Sequence, residues 1–220
     1  MESSDLLSIL GLSIRVSGTA VVLAALIGVP LGSWLGLAGS RTRAVSQIIF
    51  QTGMATPPVV LGLWLYILLS RSGPLAGLGW LYTPAAMILA QAVLCFPFVV
   101  GITMNAVASV PAGLIPQLRS LGASEMQIRW TILREAKSGV LLAIAAALGR
   151  SLSEVGAVLI VGGNIQGHTR VLTTAIVLET GQGNFDGALA LGFMLLFLAL
   201  GVNSIIWVLQ SRLVGSLRDR

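Results

Sequence analysis

The chain has 220 residues, of which 55% are hydrophobic and 10% charged, with a formal net charge of +5 and a mean hydropathy of +0.93. A soluble domain carries about 25% charged residues, so this composition excludes a water-soluble globule and turns most of the surface toward lipid. The basic excess does not indicate nucleic acid, because the cations cluster beside apolar runs rather than along one face, as membrane topology and anionic headgroups require.

The length fits one domain. A single cysteine, Cys95, lies inside an apolar run and excludes an internal disulfide. The single histidine, His168, has no Cys or His at metal-ligand spacing; it reads as an ordinary exposed residue, and neither metal nor cofactor is expected.

The start, Met1-Glu2-Ser3-Ser4-Asp5, is acidic and lacks the basic opening of a cleavable signal peptide. A first span is predicted over about 14–37, sufficient for the ~20 apolar residues that cross a bilayer as helix. Arg15 stands near its outer end and can snorkel to headgroups, while Arg41 and Arg43 follow its inner end. A second span, about 48–69, contains Pro57 and Pro58. Proline at mid-span removes backbone hydrogen bonds and kinks a helix, so the pair is either a packed kink or a bend lining a pathway. Residues 70–84 form a glycine-rich outer loop bearing only Arg71, and the third span, about 85–108, holds Cys95, Pro97 and Asn105.

Residues 111–139 form the longest polar connection between two spans that carries a basic excess: Arg119, Arg129, Arg134 and Lys137 against Glu125 and Glu135. That excess places the loop in the cytoplasm. Leu121-Gly122-Ala123 separates two short helical patterns; Ser124 is a good N-cap and Gln127 completes a capping box. Leu118, Leu121, Ile128 and Ile132 recur at roughly helical spacing and predict an apolar stripe. Two helices broken at a glycine that lets another backbone approach suit the docking of a partner; the alternative is a loop lying on the membrane surface.

The fourth span, about 140–161, contains Arg150 and Glu154. Four residues apart on one helix face, they can pair, and at this depth they should face the bundle rather than lipid. They serve either as a buried structural pair or as a gate. Residues 162–187 are polar and glycine-rich, with a short helix over 171–180 on or partly in the outer surface. The fifth span is about 188–209, with Asn203 its one strong polar residue. Counting flanks, Arg41, Arg43, Arg119, Arg129, Arg134, Lys137, Arg212, Arg218 and Arg220 fall on one side, and Arg71 and Arg170 on the other. The asymmetry makes the first side cytoplasmic: five spans, N-terminus out, C-terminus in.

No G-x-x-x-x-G-K-[ST], H-E-x-x-H or G-x-S-x-G occurs, so neither a P-loop nucleotide site nor these hydrolytic sites are expected. A transport subunit driven by a separate ATPase remains, or an integral enzyme or scaffold without a recognised motif. A self-sufficient secondary transporter is disfavoured, since those usually contain paired repeats and none is visible.

The 111–139 segment resembles the EAA loop of ABC importer permeases, whose pattern is Glu-Ala-Ala, three residues, Gly, nine residues, Ile, one residue, Leu-Pro. Aligned on Gly122, Ile132 falls at the Ile position, while Pro116-Gln117-Leu118 replaces Glu-Ala-Ala and Arg134-Glu135 replaces Leu-Pro. Farther on, Arg150-Ser-Leu-Ser-Glu154-Val-Gly156-Ala157 with Gly162-Gly163-Asn164 resembles the signature of molybdate, sulfate and tungstate permeases, and the string 169–180 is most similar to the tungstate branch. The resemblance covers about residues 10–212. It implies an all-α, five-span type I permease that is itself non-catalytic, in a homodimer with two ATPase subunits and an extracytoplasmic oxyanion-binding protein, importing tungstate or a related oxyanion. It assigns ATPase docking to Leu118, Arg119, Leu121, Gly122, Ala123, Ser124, Gln127, Ile128 and Ile132 and offers Asn164, Thr169, Arg170 and Glu179 to the binding protein; Pro57, Pro58 and Pro97, from proline chemistry alone, are the candidates for bends along the pathway.

Overall fold

The structure, a computed structural model, describes residues 3–218. It is helical, with no strand among the described residues: α1 (Ser3–Gly36), α2 (Ser40–Met54), α3 (Pro58–Leu69), a short 3-10 turn (Ala76–Leu78), α4 (Pro84–Ala108), α5 (Leu114–Ser120), α6 (Glu125–Glu135), α7 (Lys137–Leu152), α8 (Gly156–Gly162), α9 (Leu172–Gly181) and α10 (Phe185–Arg218). Three helices are long and apolar enough to cross a membrane: α1, α4 and α10. The other two predicted spans are broken pairs, α2 with α3 bent by 88° and α7 with α8 bent by 59°, so the count reaches five only if each pair is one span.

The 48–69 prediction therefore needs correction: Pro57 and Pro58 separate two helices rather than kink one. Pro58 begins α3 at its first turn, where its missing N–H costs nothing. A residue before proline is pushed out of the helical region, and Pro57 accordingly sits at φ −64°, ψ 124°. A helix arriving at Ala55 must stop and restart. Pro97, in contrast, lies inside a continuous α4, packed toward Gly53 of α2.

Helix α4 is the mast around which the others pack. Toward one end Met87, Ala90 and Leu94 meet Val16 of α1, Leu65 and Leu69 of α3, and Ala157, Val158 and Val161 of α8. At its middle Cys95 and Val99 meet Val21 and Ala24 of α1 and Ala147 of α7. At the far end Val107 packs with Ile128, Ile132 and Ala136. In lipid no hydrophobic force drives helices together, so close packing and interhelical hydrogen bonds must do it.

Helix α1 supplies the closeness. Gly28, Gly32 and Gly36, at i, i+4 and i+8, all face α4; a methyl added at each would stand 2.8 Å from Val99 Cγ1, 2.7 Å from the Val100 carbonyl oxygen and 2.7 Å from Val107 Cβ, respectively. Polar threads add the rest. Gln91 Nε2 donates to the Ser151 carbonyl at 3.1 Å, and Ser151 Oγ donates to Gln91 Oε1 at 2.7 Å. Ser13 Oγ accepts from the Leu172 N–H at 2.9 Å, so α1 caps α9, whose first residues Leu172 to Ala175 are buried. The short predicted outer helix thus exists, but its first half is tucked into the core.

Both ends of the bundle have a definite charge character. Leu37, Val107 and Ile128 share one cluster, placing the end of α1, the end of α4 and the α5–α6 segment together with Arg41, Arg43, Arg119, Arg129, Arg134 and Lys137. Gln210 Nε2 reaches the Ser138 carbonyl at 3.4 Å, bringing the latter part of α10 to that same basic end. Arg220 of the charge count lies outside the described residues.

Candidate functional site

At the basic end, α5 and α6 form a short hairpin. Gly122 holds φ +78°, the left-handed conformation that favours glycine at a helix C-terminus; its N–H bonds the Arg119 carbonyl at 3.0 Å and the Ala123 N–H bonds the Leu118 carbonyl at 3.0 Å. Nothing lies within 4 Å of a methyl placed there, so within this chain the glycine serves the turn rather than a close approach. Ser124 then starts α6 with the predicted capping box: Gln127 N–H to Ser124 Oγ at 3.4 Å and Ser124 N–H to Gln127 Oε1 at 2.8 Å. Arg119 closes the hairpin on Glu125 at 3.0 Å.

The predicted apolar stripe is only partly correct. Ile128 and Ile132 are buried, and Leu118 and Ala123 pack beside them, which fixes the hairpin to the bundle. Leu121 does not join them. It sits in the turn, 82% exposed, near Met126 at 74% and Trp130 at 60%. Met126 and Trp130, spaced i, i+4 on the face opposite Ile128 and Ile132, were not singled out from sequence, although that spacing was readable. Trp130 also carries Arg134 at 5.9 Å from its ring centroid. Between the end of α1 and α6 runs a cleft of about 240 Å³ lined by Pro30, Trp34, Met126, Arg129, Trp130 and Leu133 among others. Exposed Leu121, Met126 and Trp130, with Arg129 and Arg134 beside the tryptophan, make a surface that can seat a protein partner.

Within the bundle the two broken spans meet. A methyl at Gly62 of α3 would stand 2.8 Å from Ala157 Cα, and one at Gly156 would stand 2.7 Å from Val59. Arg150 Nη1 lies 3.2 Å from Glu154 Oε2, with the Glu154 side chain 3% exposed. The pair forms as predicted, but not along one helix: Glu154 stands in the break, after α7 has ended at Leu152. There its other oxygen accepts the Ala157 N–H at 3.0 Å and its carbonyl accepts Thr173 Oγ1 at 2.9 Å. The amino end of α8 is thus already occupied by a carboxylate, as the helix dipole favours, and does not offer itself to a passing anion. Gly156, at the start of α8, keeps the room that Val59 would otherwise deny.

The end opposite the basic hairpin carries the glycine-rich loop. Thr169, expected as a surface contact, is fully buried; its Oγ1 donates to the Gly162 carbonyl at 2.6 Å and accepts the Ile165 N–H at 2.9 Å, so it pins the loop. Asn164 takes a left-handed φ of 52°, and Arg170 is half-buried with Nη2 on the Asn164 carbonyl at 3.4 Å. Glu179 accepts Asn184 Nδ2 at 2.6 Å, and Asn184 in turn caps α10 through the Gly187 N–H. Of the four loop candidates, Asn164, Arg170 and Glu179 remain near the surface.

Residues 28–217 match the family described as "Binding-protein-dependent transport system inner membrane component". The chain is 43% identical over 205 residues to a Haloferax volcanii protein named "Probable anion ABC transporter permease protein", covering 91% of this chain and 88% of that one. It is 40% identical over 203 residues to the tungstate uptake system permease protein TupB of Peptoclostridium acidaminophilum, covering 92% and 89%. Among solved structures, a chain of the MetNI methionine ABC transporter superposes with a TM-score of 0.75 at 24% identity, covering 98% of this chain and 99% of that one, a likeness of fold. The match over most of the length, the helical bundle and these relatives together have one meaning: the chain belongs to the family of binding-protein-dependent transport system inner membrane components, as a non-catalytic, multi-pass permease subunit of the ABC importer type.

Proposed function

We propose that this chain is the membrane subunit of an importer that carries a tetrahedral oxyanion, tungstate by preference, into the cytoplasm at the expense of ATP hydrolysed by a separate subunit. The observation that carries the substrate is the 40% identity to a tungstate permease over nearly the whole of both chains. The basic end faces the cytoplasm, and there the α5–α6 hairpin docks an ATPase through Leu121, Met126 and Trp130. Arg119, Gly122, Ser124 and Gln127 give the hairpin its shape, and Leu118, Ala123, Ile128 and Ile132 tie it to α4, so that ATPase closure is passed into the bundle.

Two copies related by a two-fold axis line the path. Helix α10 supports this, since only 6% of its most apolar stretch is buried within one chain. The breaks at Pro57–Pro58 and at Glu154 set two spans at an angle beside each other, an arrangement able to switch between discrete packings. An extracytoplasmic binding protein delivers the anion to the opposite end, around Asn164, Arg170 and Glu179. Selectivity lies mainly in that partner, because tungstate and molybdate share size and charge and only a closed site with fixed donors can separate them.

Vesicles containing this chain, its ATPase and its binding protein should accumulate tungstate when ATP is supplied and sulfate poorly. Exchanging the binding protein for a compatible molybdate-specific one should move the preference with it. A preference that stays with the membrane chain would place selectivity in this sequence, and ATP-independent accumulation would overturn the importer reading.

A further inference from the structure

A second polar feature lies at the end opposite the hairpin. Between the first turns of α1 and the loop before α9 is a cleft of about 460 Å³, lined by Arg15, His168, Arg170, Ser8, Pro84 and Gly167 among others. Ser8, Leu12 and Arg15 recur along one face of α1, so the helix presents its only guanidinium into the space across from the loop. Pro84 begins α4, which sets the cleft at the level where the spans emerge.

The cleft is built for negative charge. Among the described residues its charged lining consists of two guanidinium groups, with an imidazole beside them, and no carboxylate. Neither Arg15 nor Arg170 forms an ion pair among the described residues, and Asp5, three residues before Ser8 on α1, pairs with neither. Arg170 is anchored by its own loop: Nη2 holds the Asn164 carbonyl at 3.4 Å. The loop that carries it is held in place by the fully buried Thr169. One wall is therefore preformed and the other, Arg15, is exposed on a long flexible stem.

We infer that this cleft binds a tetrahedral oxyanion group, with Arg15 and Arg170 gripping its oxygens from opposite walls and His168 at the rim. Guanidinium forks match such oxygens in geometry as well as charge. The group is either the free oxyanion waiting outside the path or the phosphate of an anionic lipid headgroup. Both present the same chemistry, and the volume admits both. The free-oxyanion source rests on the importer function proposed above; the lipid source does not.

The full chain is placed in nanodiscs of phosphatidylcholine and titrated with inorganic tungstate by equilibrium dialysis, and separately purified from membranes containing phosphatidylglycerol, with retained lipid measured by mass spectrometry. The chain should retain tungstate in the first arm, phosphatidylglycerol in the second, or both, and the arm that responds names the source. R15Q/R170Q should lower the retained anion at least tenfold, with R15K/R170K in between because lysine lacks the fork. R15Q alone, at an exposed position, should weaken retention while leaving the elution volume and thermal unfolding of the chain unchanged. Absence of retention in both arms, or equal retention by R15Q/R170Q, overturns the inference. The readout uses neither ATP nor the partner subunits, so a failure of ATP-driven uptake would sink the importer reading and leave this site standing.

Discussion

At Glu154 one carboxylate serves two helices. It neutralises Arg150 at the end of α7 and caps α8 through Ala157, while its backbone carbonyl ties α9 through Thr173. The two partners are not equivalent, because the Arg150 side chain is 25% exposed and that of Glu154 only 3%. Removing the arginine strands a carboxylate enclosed by the bundle, whereas removing the carboxylate leaves a cation that is less deeply buried. R150M should therefore cost about 3 kcal/mol, in the range for breaking a buried pair, and E154Q less, since a glutamine oxygen still accepts the Ala157 N–H. R150M/E154Q should be more stable than R150M. Thermal unfolding of the purified variants checks the order; a loss in R150M/E154Q equal to the sum of the two single losses would remove the pair as a stabilising element. The sequence placed these two residues within reach of each other by spacing alone. It did not reveal the break between them, because no proline marks it and the cap that makes the break tolerable is Glu154 itself.

Among the elements, α1 and α4 form the tightest pair, and the reason was legible in the spacing Gly28-x3-Gly32-x3-Gly36 although only the contact gives it a partner. A methyl at Gly32 would lie 2.7 Å from a backbone oxygen and 2.9 Å from Thr103 Cβ, neither of which a rotamer change can relieve. Gly32→Val should force the helices apart and cost about 1–3 kcal/mol, as overpacking does, lowering the unfolding temperature and the yield of assembled complex. Gly18→Val on the same helix meets nothing within 4 Å and should be near neutral by comparison. Equal effects at the two positions would show that helix propensity, not packing, sets the cost. Elsewhere the outcome depended on the kind of signal. The capping box at Ser124 and Gln127 is a local pattern and was predictable; the exposure of Leu121 was not, because periodicity cannot tell that the chain leaves the helix one residue before a left-handed glycine.

For the whole molecule, the charge asymmetry makes a test of orientation possible. A reporter active only in the cytoplasm should work when inserted in the turn at Leu121 or fused after Arg220 and fail near Gly77; activity at Gly77 would reverse the bundle. What the amino-acid sequence determined by itself was the class and the layout: a helical membrane protein, its apolar runs, its basic end, and a capped hairpin there. These depend on composition and on neighbours a few residues apart. The tertiary structure alone decided that Pro57–Pro58 and Glu154 mark breaks of 88° and 59° whose flanking helices touch, that Thr169 is a buried pin, and that Arg15 shares a cleft with Arg170. Arg15 and Arg170 are 155 positions apart in the chain. Their meeting follows from how α1 packs along α4 and how Ser13 caps α9, and a pairing across such distances leaves no local pattern to read.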